Sequence, residues 1–359
     1  MEYTFFDLFA GIGGFRIGME NAGFKCVGSC EIDKYARQIY TKNFGLRGRS
    51  GHHKDARELK TDELGKFDVL TGGFPCQSFS TAGKRLGFED TRGTLFYEIA
   101  RIAKEKRPRY LFLENDKGLL NHEQGSTFTK ILDTLYEIGY SIEWQVINSK
   151  FFLPQNRERI FIIGCLGNER RSKIFPLRED DSKYESPRET SSGKGQQLQD
   201  VNSGSITSTY YKGWGAGRTM IRIANSNSNT VNRRQVRDTT WSLTGNASDF
   251  AIVEPKLKHK YDLYPKHKSH AGRVYESDGL ARSLISSEGG VGKQSGLYEI
   301  GDKIRKLTPI ECERLQGFPD NFTEGVSDTQ RYKMLGNAVT TNVISAISRR
   351  LMNAIKKET

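Results

Sequence analysis

Tyr3-Thr4-Phe5-Phe6-Asp7-Leu8-Phe9-Ala10-Gly11-Ile12-Gly13-Gly14 is an apolar run that breaks into a cluster of glycines. The run predicts a short buried strand over 3–9, and the residues from 15 to 22 carry apolar side chains at helical spacing. A strand, a glycine-rich turn and a helix form a cradle for a nucleotide-like ligand, because glycine removes side chains where the ligand must lie close. The cluster departs from the dinucleotide fingerprint, so on local grounds a plain tight turn is an equal reading.

Working outward, 25–30 predicts a second strand that ends in Glu31-Ile32-Asp33, with a helix over 34–43. An acidic residue at that tip is where α/β proteins meet a ribose, since a carboxylate accepts from both hydroxyls. After a polar loop over 45–54, Asp55 is a candidate for an adenine amino group or an ordinary helix cap. A strand over 67–71 then delivers Gly72-Gly73-Phe74-Pro75-Cys76-Gln77-Ser78-Phe79-Ser80. Two glycines that allow a tight turn, then a thiol stiffened by a preceding proline, are how a nucleophile is presented. A lone cysteine is otherwise a small buried hydrophobe.

A helix over 94–106 stops at Arg107-Pro108, and the strand over 110–113 carries Glu114-Asn115-Asp116 at its C-terminal edge. The carboxyl ends of parallel strands share one edge, so Cys76, Glu114, the glycine turn and Glu31 should lie along one rim. A helix over 125–138 and a strand over 141–148 lead to Gln155-Asn156-Arg157-Glu158-Arg159 and a strand over 160–165. Arg157 and Arg159 alternate with a glutamate, so in an extended segment both guanidiniums face one way. They could bind a phosphate or a polarised carbonyl, or simply form a solvated face.

The chain is long enough for more than one domain, and 55 Lys and Arg against 43 Asp and Glu give a formal charge of +12. That surplus suits a polyanion, with nucleic acid the favoured partner. The five cysteines (Cys26, Cys30, Cys76, Cys165, Cys312) are odd in number and scattered, which argues for reduced thiols rather than a disulfide framework. No zinc-ligand spacing occurs, and no structural metal is expected. No signal-like or membrane-spanning run is read, so a soluble, cytoplasmic protein is expected.

Composition changes after Gly167. The segment to about 302 is rich in Gly, Ser, Thr, Asn, Lys and Arg with short β-branched pieces, and a faint strand-connection-strand repeat starts at Ser205-Ile206-Thr207, Ser242-Leu243-Thr244 and Ser283-Leu284-Ile285. Its interleaved bases and aromatics, among them Tyr210, Lys212, Trp214, Arg218 and Trp241, suit a nucleic-acid surface. Thr308-Pro309-Ile310-Glu311 is a capping box with proline at the first helical position. Gly336-Asn337-Ala338-Val339 introduces a C-terminal helix to about 356.

Taken together, 7–14, Gly73-Phe74-Pro75-Cys76-Gln77, Glu114-Asn115, 155–159, 305–320 and 336–339 occur in the order and approximate spacing of DNA cytosine-5 methyltransferases, and the chain resembles that family over nearly its whole length outside 167–302. The resemblance implies an α/β fold. A Rossmann-like catalytic domain with a mostly parallel sheet would span 1–166 and 325–359, and a smaller β-rich target-recognition domain 167–324. It implies S-adenosylmethionine as cofactor, duplex DNA as substrate, a monomer on DNA, and a possible cognate restriction endonuclease acting at the same site. Cys76 thiolate would add to cytosine C6, Glu114 would hold or protonate N3, and Arg159, supported by Arg157, would steady the carbonyl oxygen. Phe9, Gly11, Ile12, Gly14, Glu31, Ile32, Asp55, Pro75, Leu95, Asn337 and Val339 would form the cofactor site. The loop 77–92, with Gln77, Ser80, Lys84 and Arg92 toward DNA, would close over a flipped base.

One residue departs from the family pattern in a way that bears on the chemistry: Asp116 stands where the family has valine. A carboxylate there could raise the pKa of Glu114 or disfavour an anionic intermediate; alternatively it turns to solvent or pairs with Lys117 or an arginine. Two competing functions follow from the same residues. A tRNA cytosine methyltransferase would carry a compact recognition segment and a Cys-Phe-Thr signature, and a catalytically dead base-flipping binder would rest on Asp116 alone.

Overall fold

A computed structural model describes residues 2–45, 51–74, 95–167, 173–177, 203–206, 257–263, 273–277, 279–286, 296–300 and 302–358. The chain opens with β1 (Thr4–Leu8), α1 (Gly14–Glu20), β2 (Lys25–Cys30), α2 (Lys34–Phe44), β3 (His52–His53) and β4 (Val69–Gly73). It continues through α3 (Leu95–Lys106), β5 (Tyr110–Asp116), α4 (Ser126–Glu137), β6 (Tyr140–Asn148), β7 (Gln155–Asn156) and β8 (Glu158–Leu166). Then come β9 (Ser203–Ile206), β10 (His259–Asp262), β11 (Arg273–Glu276), β12 (Ala281–Arg282), β13 (Leu297–Ile300) and β14 (Lys303–Lys306). The chain closes with α5 (Pro309–Leu315), α6 (Asp328–Asn337) and α7 (Thr341–Lys357).

The main sheet has the order β3-β2-β1-β4-β5-β8-β6-β9. Its first five strands are mutually parallel, and β8 returns antiparallel beside β5. Strand order reverses at β1, so the crevice beyond the carboxyl ends of β1 and β4 is the topological switch point where α/β sheets hold ligands. Alternation along β1 explains the layering. Phe6 and Leu8 enter one apolar layer with α3 and α4, while Phe5 enters the other with Phe15, Met19, Val343, Ile344 and Ile347 of α1 and α7. The C-terminal helix thus belongs to the first core, and Glu358 at its end accepts from Arg109 and Tyr110 at the start of β5.

This is the expected α/β class with a mostly parallel sheet, together with a separate sheet of order β10-β11-β13-β14. Ile174, Phe175 and Leu177 pack into the α1–α7 layer, and Cys312, Leu315, Phe318 and Phe322 of the α5 region join Ile12, Ala36 and Ile39. Among the described residues, apolar side chains on both sides of 166 and of 324 thus pack into shared clusters.

Several expected boundaries also move. Gly72 and Gly73 lie inside β4, paired with Leu113 and Glu114, rather than in a turn. They serve close approach: a Cβ on Gly72 would sit 3.3 Å from the Leu8 carbonyl oxygen, and one on Gly73 would sit 3.1 Å from Glu114 Oε2. The C-terminal helix starts at Thr341, not Asn337, and Asn337 ends α6, a helix whose polar sequence hides its few buried residues. The capping box at Thr308 and Glu311 forms in both directions. Ser283-Leu284-Ile285 follows β12 as irregular backbone instead of starting a strand, and most of the proposed repeat lies outside the described residues. Among the described residues, no helix is long and apolar enough to cross a membrane.

Candidate active site

The first wall of the crevice is built from backbone. After β1 the chain turns through Phe9 and Gly11, both at φ 55°, and Gly13 at φ 94°, so that Gly13 N donates to Ala10 O at 2.8 Å. The three glycines do different jobs. A Cβ on Gly11 would meet nothing within 4 Å, one on Gly13 would lie 2.3 Å from the Phe44 ring, and one on Gly14 would lie 2.7 Å from Val339 Cγ2. Gly11 alone keeps open space in front of the turn, while the other two let α2 and the 338–340 segment pack. Glu31, just past β2, accepts from Gly11 N at 2.7 Å and from Asp33 N at 2.8 Å. Burial raises its pKa while those two N–H groups pull it down, and each oxygen keeps a second lone pair for a ligand.

The second wall is built from charge. Asn115 Nδ2 donates to Phe74 O at 2.8 Å, fixing the chain just before Pro75 and Cys76. Pro75, Cys76, Gln77, Ser80, Lys84 and Arg92 themselves lie outside the described residues. Glu114 and Asp116 are two residues apart on β5 and so share a face, and Asp116 lies directly opposite Arg159 of β8. The Arg159 guanidinium reaches both: Nε stands 3.3 Å from Glu114 Oε1 and Nη1 stands 2.7 Å from Asp116 Oδ2. Burial raises the pKa of Glu114, Arg159 and Arg157 oppose that rise, and Asp116 adds to it. Both fates foreseen for Asp116 occur together: it pairs with an arginine and also adds to the rise in the pKa of Glu114.

Arg157 faces the same crevice but is held differently. Its Nη1 donates to Ser283 Oγ and Leu284 O, and its Nη2 donates to Gly336 O and Ala338 O. Its terminal nitrogens are therefore committed to protein oxygens, which makes it a strut between the β7–β8 stretch and the segments at 283–286 and 336–338. Burial, with Arg159 beside it, pushes its pKa down.

Both walls enclose a cleft of about 520 Å³. Phe9, Gly11, Ile12, Gly14, Glu31, Ile32, Leu95, Asn337 and Val339 line it together with Glu114, Arg157 and Arg159. Ile32 is 61% exposed there, an apolar side chain facing the cleft without cover. Asp55 is not brought in: it is absent from the lining, and its carboxylate is paired with Arg57 at 2.5 Å. Sequence reasoning missed Asn115 as the clamp on Phe74, Lys333, and the backbone at Leu284–Ser286. Gly336 was the available signal for the last of these, since a Cβ there would lie 2.4 Å from the Ile285 carbonyl carbon. A glycine inside a helix marks such an approach.

Residues 3–353 match the family model for C-5 cytosine-specific DNA methylase. The type II methyltransferase M1.ScrFI of Lactococcus lactis subsp. cremoris is 36% identical over 99% of this chain and 79% of its own. The type II methyltransferase M.HhaI of Haemophilus parahaemolyticus is 33% identical over 96% of this chain and 92% of its own. Among solved structures, an S. pombe Dnmt2 methyltransferase shares the fold, with a TM-score of 0.59 at 16% identity over 99% of both chains. By the family model and by these relatives, the chain belongs to the C-5 cytosine-specific DNA methylases.

Proposed function

We propose that this enzyme transfers a methyl group from S-adenosylmethionine to C5 of a cytosine flipped out of a specific duplex DNA sequence, through a transient bond between Cys76 and C6. The observation that carries this reading is the single cleft in which an open glycine turn and Glu31 face Glu114 and Arg159, beside the anchored entry to Cys76. The cofactor wall fits its ligand: Gly11 leaves space, Glu31 retains acceptor capacity for ribose hydroxyls, and exposed Ile32 offers an apolar face to adenine. When bound, the cofactor supplies an electrophilic methyl.

The protein's own groups make cytosine reactive. Cytosine C5 is a poor nucleophile, so Cys76 thiolate adds to C6 and pushes electron density onto C5. Glu114, whose pKa burial raises, donates a proton to N3, and Arg159 steadies the carbonyl oxygen and the developing charge. After methylation C5 loses its proton to a base or water, and Cys76 leaves. C6 is inaccessible in a duplex, so the base must leave the stack, and the loop 77–92 closes over it. Arg157 acts through the backbone it holds rather than on the base.

Target reading falls to the basic segment within 167–324, with the catalytic unit formed by 1–166 and 325–359 and some packing shared across those limits. The protein would work in the cytoplasm as a monomer on DNA, shielding a sequence that a cognate restriction endonuclease cuts. Tritiated methyl transfer to duplex DNA, followed by nucleoside analysis, tests the reading. 5-Methylcytosine is expected. Label on adenine, on the cytosine amino group, or only on tRNA would overturn it.

A further inference from the structure

The charged wall contains one group that the reaction above does not use. Asp116 is 59% exposed in its side chain, yet both of its oxygens are engaged: Oδ2 holds Arg159 Nη1 at 2.7 Å, and Oδ1 accepts from Gly118 N at 2.9 Å, capping the short turn that begins at Lys117. The carboxylate is therefore fixed by its own turn before it meets the arginine. Arg159 Nη1 is held from a second side by the Glu158 carbonyl at 2.7 Å. Its contact with Glu114, at 3.3 Å through Nε, is the longer one.

The groups facing Glu114 can be named from each neighbouring strand. Arg157 and Arg159 come from the β7–β8 stretch, Asp116 from its own strand, and uncharged Gly73 from β4, while Cys76 lies outside the described residues. Valine at 116 would have neither the charge nor the acceptor, leaving Arg159 Nη1 held only by the Glu158 carbonyl and the guanidinium able to shift toward Glu114. Removing Asp116 thus changes two things in the same direction: a repelling carboxylate is lost, and a neutralising cation moves closer.

We propose that Asp116 is a positioning residue, which draws the Arg159 guanidinium toward the rim, weakens its hold on the Glu114 carboxylate and so favours proton donation by Glu114. The proposal rests on the reading that Glu114 meets the cytosine N3. Its consequence is an enzyme that stays active further into the alkaline range than the same chain with valine at this position.

The test is a carbon-13 titration of the Glu114 side-chain carboxyl in glutamate-labelled, cofactor-free protein, assigned with Glu114→Gln, alongside the pH profile of kcat. Asp116→Asn keeps the acceptor for Gly118 N–H and removes only the charge, Asp116→Val copies the family, and Asp116→Glu restores the charge. The expected result is a Glu114 midpoint at lower pH in the Asn and Val variants, recovered at least in part by Glu. Their kcat profiles should begin to fall at lower pH than that of the wild type, displaced by the same shift as the Glu114 midpoint. Superimposable titrations and profiles would overturn the proposal. A uniform loss of kcat at every pH with an unmoved midpoint would also overturn it, leaving Asp116 a structural cap. A shifted midpoint in a protein that transfers no methyl group would instead uphold the positioning role and overturn the functional reading.

Discussion

The two walls of the cleft are made in opposite ways. The wall proposed for the cofactor is backbone turned by glycines, with one carboxylate whose accepted hydrogen bonds come from main-chain N–H groups. The charged wall is two carboxylates, Glu114 and Asp116, sharing the Arg159 guanidinium, with a second arginine, Arg157, tied to backbone behind them. Backbone dipoles are fixed by the fold and carry no proton, so apart from Glu31 the first wall should tolerate a change of pH. The second should not, because each member sets the charge state of the next.

The largest expected contrast comes from Glu114→Gln. It removes the only neutral-acid donor assigned to the base and should lower kcat by roughly a hundredfold or more, with a far smaller change in cofactor affinity. Single-turnover methyl transfer with a parallel binding titration separates the two. An equal loss in both would break the division into walls.

Next is Arg157→Met. Four oxygens on two segments lose their donor, and Gly336 and Ala338 are linked to the β7–β8 stretch through it, so unfolding in urea should show a loss of about 3 kcal/mol or more. Cofactor affinity should fall with it, since the same strut supports Asn337 and Val339. A stable variant impaired only in kcat would move Arg157 into direct contact with the base.

Beneath the cofactor wall lies Asp7, fully buried, with Oδ1 accepting from Thr71 Oγ1 at 3.0 Å and Oδ2 without a partner among the described residues. Burial holds its pKa at about 7, against an ordinary 3.8. Its folded pKa is the higher one, so its contribution to stability is complete below pH 3.8 and is lost as pH rises through about 7. Asp7→Asn should therefore gain stability relative to the wild type between pH 5 and pH 8, on the order of 2 kcal/mol. Chemical denaturation at both pH values checks this, and a constant difference would refute it. The smallest effect expected is that of Glu31→Gln. One acceptor remains, and cofactor affinity should weaken about tenfold while kcat at saturation is nearly unchanged; calorimetry against S-adenosylmethionine measures it.

The same division explains what could be read from the chain. The turn after β1, Glu31 at the tip of β2 and the capping box at Thr308 are local patterns, in which a few consecutive residues determine the geometry. Their places were legible. The meaning of Gly72 and Gly73 was not, because their lack of a side chain answers to Leu8 and Glu114 on neighbouring strands. Likewise, the alternation of Arg157 and Arg159 was visible, but not their separate fates. One meets carbonyls supplied by residues more than a hundred positions away, and the other meets carboxylates set by the β5–β8 register. Asp55 stands apart for the opposite reason: a local partner two residues on, Arg57, pairs with the carboxylate.

The central claim is that these walls serve a covalent reaction at Cys76. A duplex carrying 5-fluorocytosine at the methylated position, incubated with the protein and S-adenosylmethionine, tests it most directly. Fluorine cannot leave C5 as a proton does, so the Cys76–C6 bond should persist. The account predicts a complex that survives denaturation with the wild type and is absent with Cys76→Ala. No complex on duplex DNA, or one that Cys76→Ala still forms, would contradict it.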